Sequence, residues 1–163
     1  MRSWAVLAVV LVAGAGAGCD GPTRDELSRN AQIYVATVRE VLSEQPPPTD
    51  PDVLPVVYVV AVGEQEIPAG VQAEVAVALK DDVEVRFADE RSEALLDDQD
   101  EAPVRDHGVL IAMGAFTPAE GEPVAVGVEV YRSVEDSSKM VLTVGQRSSQ
   151  WTVTSSSVLP PDT

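Results

Sequence analysis

The stretch Val53–Val62 constrains the fold more than any other. Its middle, Val56-Val57-Tyr58-Val59-Val60, is apolar at every position. β-Branched and aromatic residues suit a pleated strand, and a strand with no polar face must be covered on both sides. The segment therefore predicts a central strand, closed by Gly63.

Upstream, Thr23-Arg24-Asp25-Glu26 fits a capping box, with Thr23 as N-cap and Glu26 at the third helical position. Leu27, Ala31, Tyr34, Val38 and Val41 then recur at spacings of 4, 3, 4 and 3. That spacing marks one face of an amphipathic helix. Gln45-Pro46-Pro47-Pro48-Thr49-Asp50-Pro51 ends the helix and leads to the sheet as a stiff connector.

Downstream, Ile67-Pro68-Ala69-Gly70 opens a segment over residues 68–80 that satisfies two patterns. Val71, Val75 and Ala78 or Leu79 stand at helical spacing, and Pro68 suits a first turn. Val71, Ala73, Val75, Val77 and Leu79 also alternate as a strand would. The alanines favour the helix and the valines favour the strand. The helix is the preferred reading, and the strand stays open.

The remainder reads as strands. Val83, Val85 and Phe87 alternate with polar residues, and Val109–Ala112 is a short apolar run. Val124, Val126, Val128 and Val130 share one face, as do Met140, Leu142 and Val144. Arg132–Ser138 is read as a polar hairpin loop, and Trp151 and Val153 mark a last short strand. The predicted class is α+β. An N-terminal amphipathic helix and a possible second helix pack on a mainly antiparallel sheet of about five or six strands.

The first 18 residues form a separate feature. Arg2 precedes an apolar run from Trp4 to about Val12, and small residues lead to Cys19, the sole cysteine. This is the pattern of a secretory signal. The run is shorter than the roughly 20 apolar residues of a spanning helix. The expected organisation is a signal peptide over 1–18, a tether over 19–22, one α+β domain over 23–154 and a flexible tail over 155–163. The net charge is −16, which argues against nucleic acid and against electrostatic attraction to an anionic bilayer. With Cys19 used at the junction, no thiol remains for a disulfide, a nucleophile or a cysteine metal site.

The junction Gly16-Ala17-Gly18-Cys19 resembles the cleavage motif of bacterial lipoproteins. The resemblance implies cleavage before Cys19 and a diacylglycerol thioether on its sulfur. It also implies an acyl-anchored protein on the extracytoplasmic face of the cell membrane. Gly16 stands where that family usually carries Leu, and plain secretion or an uncleaved anchor are the alternatives. The body resembles a poorly characterised group of small secreted or lipid-anchored proteins of high-GC Gram-positive bacteria. The resemblance rests on Ile33–Arg39, Val57–Val60, Phe87–Glu93, Gly108–Ile111 and Trp151–Val153. It carries over no catalytic residue. Ser133–Ser138 replaces a cysteine-containing loop of that group.

Ten acids crowd the segment from Asp81 to Glu101, opposed only by Arg86 and Arg91. Asp97, Asp98, Asp100 and Glu101 lack the glycine turn and spaced glutamate of a calcium loop. They are expected in a solvent-facing loop that adds little to the core. Asp89 and Glu90 stand at a strand end, where paired carboxylates would serve a small hydrolase. His107 is the sole histidine, and no Gly-x-Ser-x-Gly elbow occurs. Arg39, Arg86, Arg91, Arg105, Arg132 and Arg147 are read chiefly as offsets for nearby acids. No cofactor or metal is expected. The expected function is a non-enzymatic binding or interaction module, with a possible envelope protein as partner. The alternatives are a hydrolase using Asp89 and Glu90, and a carrier with an apolar pocket near Tyr58, Tyr131 or Trp151.

Overall fold

The computed structural model describes residues 24–160 apart from 48–52, 64, 98, 100, 118 and 120. The leader, Cys19, the tether, the Thr23 cap, Asp98, Asp100 and residues 161–163 lie outside the described residues. The elements are α1 (Arg24–Glu44), β1 (Val56–Ala61), α2 (Ala69–Leu79), β2 (Glu84–Ala88), β3 (Val109–Met113), β4 (Val124–Ser133), β5 (Asp136–Arg147) and β6 (Gln150–Val158). Two 3-10 turns, Arg91–Ala94 and Arg105–His107, lie between β2 and β3.

The six strands form one sheet in the order β2-β1-β3-β4-β5-β6. The meander from β3 to β6 is antiparallel, as short hairpins require. β1 is parallel to both neighbours, so the sheet is mixed. The expectation of a mainly antiparallel sheet did not include this half. Its cause is connection length: α2 returns the chain from β1 to β2, and residues 89–108 return it from β2 to β3.

The two crossovers cover opposite faces of β1. Val57 and Val59 pack into a core with Val71, Val75 and Leu79 of α2 and with Ile33, Tyr34, Val38 and Val41 of α1. Val56, Tyr58 and Val60 face the other way, against Ala94, Leu95, Ala102 and Val104. This explains how a wholly apolar strand is buried on both sides.

α2 decides between the two periods. Val71, Val75 and Leu79 are buried, whereas Val77 is 68% exposed. A strand alternating from Val71 would have buried Val77 as well.

Three expectations need correction. The acidic segment adds more to the molecule than predicted, because Ala94, Leu95, Ala102 and Val104 form its buried side while Asp97 and Glu101 face solvent. Leu95 and Val104 form a β-bridge that pins this flap. The hairpin between β4 and β5 has only Val134 and Glu135 outside the strands, since both strands extend into the polar stretch. β6 continues to Val158, so Ser155–Val158 pair with β5 instead of forming a loose tail.

Candidate functional site

β1 and β3 end side by side, with Ala61 opposite Met113. From this point the chain departs to opposite sides of the sheet, toward β2 after β1 and toward β4 after β3. Such a reversal of strand order opens a crevice beyond the carboxyl ends of parallel strands. The strand ends are held by the Val62 N–H donating to the Met113 carbonyl (2.7 Å) and the Gly114 N–H donating to the Gly127 carbonyl (2.8 Å).

A pocket of about 200 Å³ opens in this crevice. Ala61, Met113 and Gly114 line it from the sheet, Asn30 and Tyr34 from α1, and Glu66, Pro68 and Val71 from the loop and start of α2. Gly63, at φ +100°, lets the chain turn out of β1. The Gln72 Nε2 donates to the Ile67 carbonyl (2.8 Å) and ties the loop to α2. The Tyr34 and Phe116 rings meet at 5.3 Å between centroids, tilted by 57°. Burial pushes the Tyr34 phenol up to about 12, so it stays protonated at neutral pH. The Asn30 Oδ1 is buried and has no hydrogen-bond partner. No lysine, arginine or histidine is among the described residues that line this pocket. A second pocket of about 240 Å³ adjoins it through Ala61, Gln65 and Glu66 and reaches Asp89 and Glu90.

Asp89 and Glu90 thus stand at the carboxyl end of the sheet, on the rim of this crevice. Both are exposed. Asp89 donates its backbone N–H to Glu93 Oε2 (3.3 Å). Among the described residues the buried polar or charged side chains comprise Thr37 alone, so no buried carboxylate faces them. A pair with divided acid and base roles needs such an environment. His107 is exposed, in a left-handed conformation at φ 54°.

Of the three aromatic residues singled out for a carrier, Tyr58 and Tyr131 share the core on the flap side of the sheet and Trp151 belongs to the core on the other side. Tyr131 is buried on the flap face, where its hydroxyl donates to the Ala102 carbonyl (3.0 Å). The Arg91 guanidinium lies 4.2 Å from its ring centroid. Trp151 lines an open groove of about 680 Å³ between α1, α2 and β6, with Val35, Ala36 and Val153.

Tyr58 joins a polar cluster that sequence reasoning missed. Its hydroxyl donates to Asp106 Oδ2 (2.8 Å). Arg86, its register partner on β2, donates to the Tyr58 oxygen (2.9 Å), to Asp106 (2.5 Å) and to Glu84 (2.8 Å). Arg86 Nη1 thus bonds both Tyr58 and Asp106, and its charge is held firmly by Glu84 first and then by Tyr58. The cluster clamps the Arg105–His107 turn to the sheet beside a pocket of about 520 Å³. The signal in the sequence was slight: Arg86 stood out only as a cation among acids. Among the described residues no three metal-ligating side chains converge.

Compared with known proteins, the chain matches no family model, no curated protein and no solved structure.

Proposed function

We propose that this chain is a non-enzymatic binding module, held at the extracytoplasmic face of the cell membrane by lipid on Cys19. The leader and its Ala17-Gly18-Cys19 junction support the location. Among the described residues no helix is long and apolar enough to cross a membrane.

The observation that carries the binding role is the crevice at the ends of β1 and β3. It is a preformed concavity lined by Glu66 before α2 and by the rings of Tyr34 and Phe116. A concavity with few polar groups at the carboxyl ends of parallel strands is the usual place for a small ligand. The hydrolase reading gains no support, because Asp89 and Glu90 are solvated and lack an opposing buried acid. An envelope protein partner is a second reading, favoured by the open groove at Trp151 and by β6, an uncharged strand at the sheet edge.

A thermal-shift experiment with the small-molecule fraction of the organism's own envelope tests the binding role. The fraction is expected to raise the melting temperature of the wild type and to leave Ala115→Trp unmoved, since the indole crosses the crevice. No rise for the wild type, or equal rises for both, would refute the assignment.

A further inference from the structure

We infer that the crevice at the carboxyl ends of β1 and β3 takes a small organic ammonium group. This rests on the reading of the chain as a binding module and names the ligand class of that site. Two observations converge on it.

The first is charge. Glu66 lines both adjoining pockets, Asp89 and Glu90 rim the second, and no cationic side chain lines either among the described residues. The amino end of α2 opposes a cation with a partial charge of about half an elementary charge. Glu66, two residues before Pro68, offsets it with a full negative charge.

The second is the aromatic pair. Tyr34 comes from α1 and Phe116 from the segment after β3, and both line the pocket with their ring centroids 5.3 Å apart. Aromatic faces attract ammonium ions, and quaternary ammonium most of all when several rings surround it. The Tyr34 ring stays uncharged at neutral pH, so the attraction is that of its quadrupole.

The same features exclude the obvious rival, a metal ion. No three ligating side chains converge among the described residues, and two rings give a metal no bond. A volume of about 200 Å³ compares with the roughly 150 Å³ cavity that holds benzene, so the ligand has about six to ten non-hydrogen atoms.

The test is calorimetric titration of the full chain in neutral detergent with choline, calcium and inorganic phosphate. Choline is expected to show one saturable site, and calcium and phosphate none. Glu66→Gln, an exposed change, is expected to weaken choline about fivefold. Phe116→Leu is expected to weaken it by a similar factor, with the melting temperature recorded to exclude unfolding. The inference is overturned by no saturable choline binding, by choline affinity unmoved in both folded variants, or by saturable calcium or phosphate binding at this site. Envelope extract that stabilises the wild type while choline does not bind would sink the ammonium assignment and leave the binding role standing.

Discussion

Thr37 sits in the first core with no exposure, and its hydroxyl has no hydrogen-bond partner. A desolvated donor without a partner is destabilising, whereas a methyl of the same shape is not. Thr37→Val is therefore expected to stabilise the protein by about 1 kcal/mol, read as a higher urea midpoint at constant slope. A lower midpoint would show that the hydroxyl is bonded after all. Asp106 makes a second residue-scale test. Tyr58 first and Arg86 second, by hydrogen bonding, hold its carboxyl below the ordinary value. A depressed carboxyl supplies stability above its unfolded pKa, near 4, and loses it as pH falls through the lower folded value. Asp106→Asn is expected to melt earlier than the wild type at pH 7 and to lose less further stability below about pH 4. Parallel melting profiles for the two proteins through the acid range would contradict this. None of these contacts is legible locally, because Tyr58, Arg86 and Asp106 come from three separate segments. The same holds for the rings of Tyr34 and Phe116, which share a pocket across most of the fold.

At the scale of elements, the strands were legible wherever apolar residues alternated. Val124 to Val130 and Met140 to Val144 bury the faces that their period predicts. α2 was ambiguous because Val71, Val75 and Leu79 satisfy a period of two and a helical face alike. The exposure of Ala73 and Val77 separates the two. Pairing direction was not legible from strand content, since it depends on where each crossover returns the chain. The end of β6 was missed because Ser155-Ser156-Ser157 has the composition of a tail. Its backbone bonds to β5, not its side chains, place it in the sheet. The tight turn before β6 offers a prediction. Ser148 and Ser149 have φ values of 48° and 69°, the left-handed pair of a type I′ hairpin. Serine adopts this conformation at a penalty that Asn-Gly avoids. Replacing Ser148-Ser149 by Asn-Gly is expected to raise stability by about 0.5–1 kcal/mol without changing the sheet. Circular dichroism during thermal unfolding would record it, and an unchanged or lower midpoint would argue against the turn type. Gly108 sets the opposite constraint, because a Cβ there would lie 2.8 Å from the Val56 carbonyl oxygen. Gly108→Ala should accordingly loosen the junction between the flap and β3 and lower the melting temperature.

At the scale of the molecule, one sheet carries two kinds of architecture. The β2-β1-β3 half has parallel strands and crossovers on both faces, and it supplies a crevice. The β4-β5-β6 half is a meander that extends the sheet and leaves an uncharged edge. A charge of −16 gives the molecule no electrostatic hold on an anionic bilayer, so the proposed anchor is the lipid. Two acyl chains suffice for stable attachment where one alone binds reversibly. Mass spectrometry of the N-terminal peptide from the envelope fraction tests this most directly. The account predicts a peptide that begins at Cys19 and carries a thioether-linked diacylglycerol. An unmodified peptide that retains Gly18, or one that begins beyond Cys19, would contradict it.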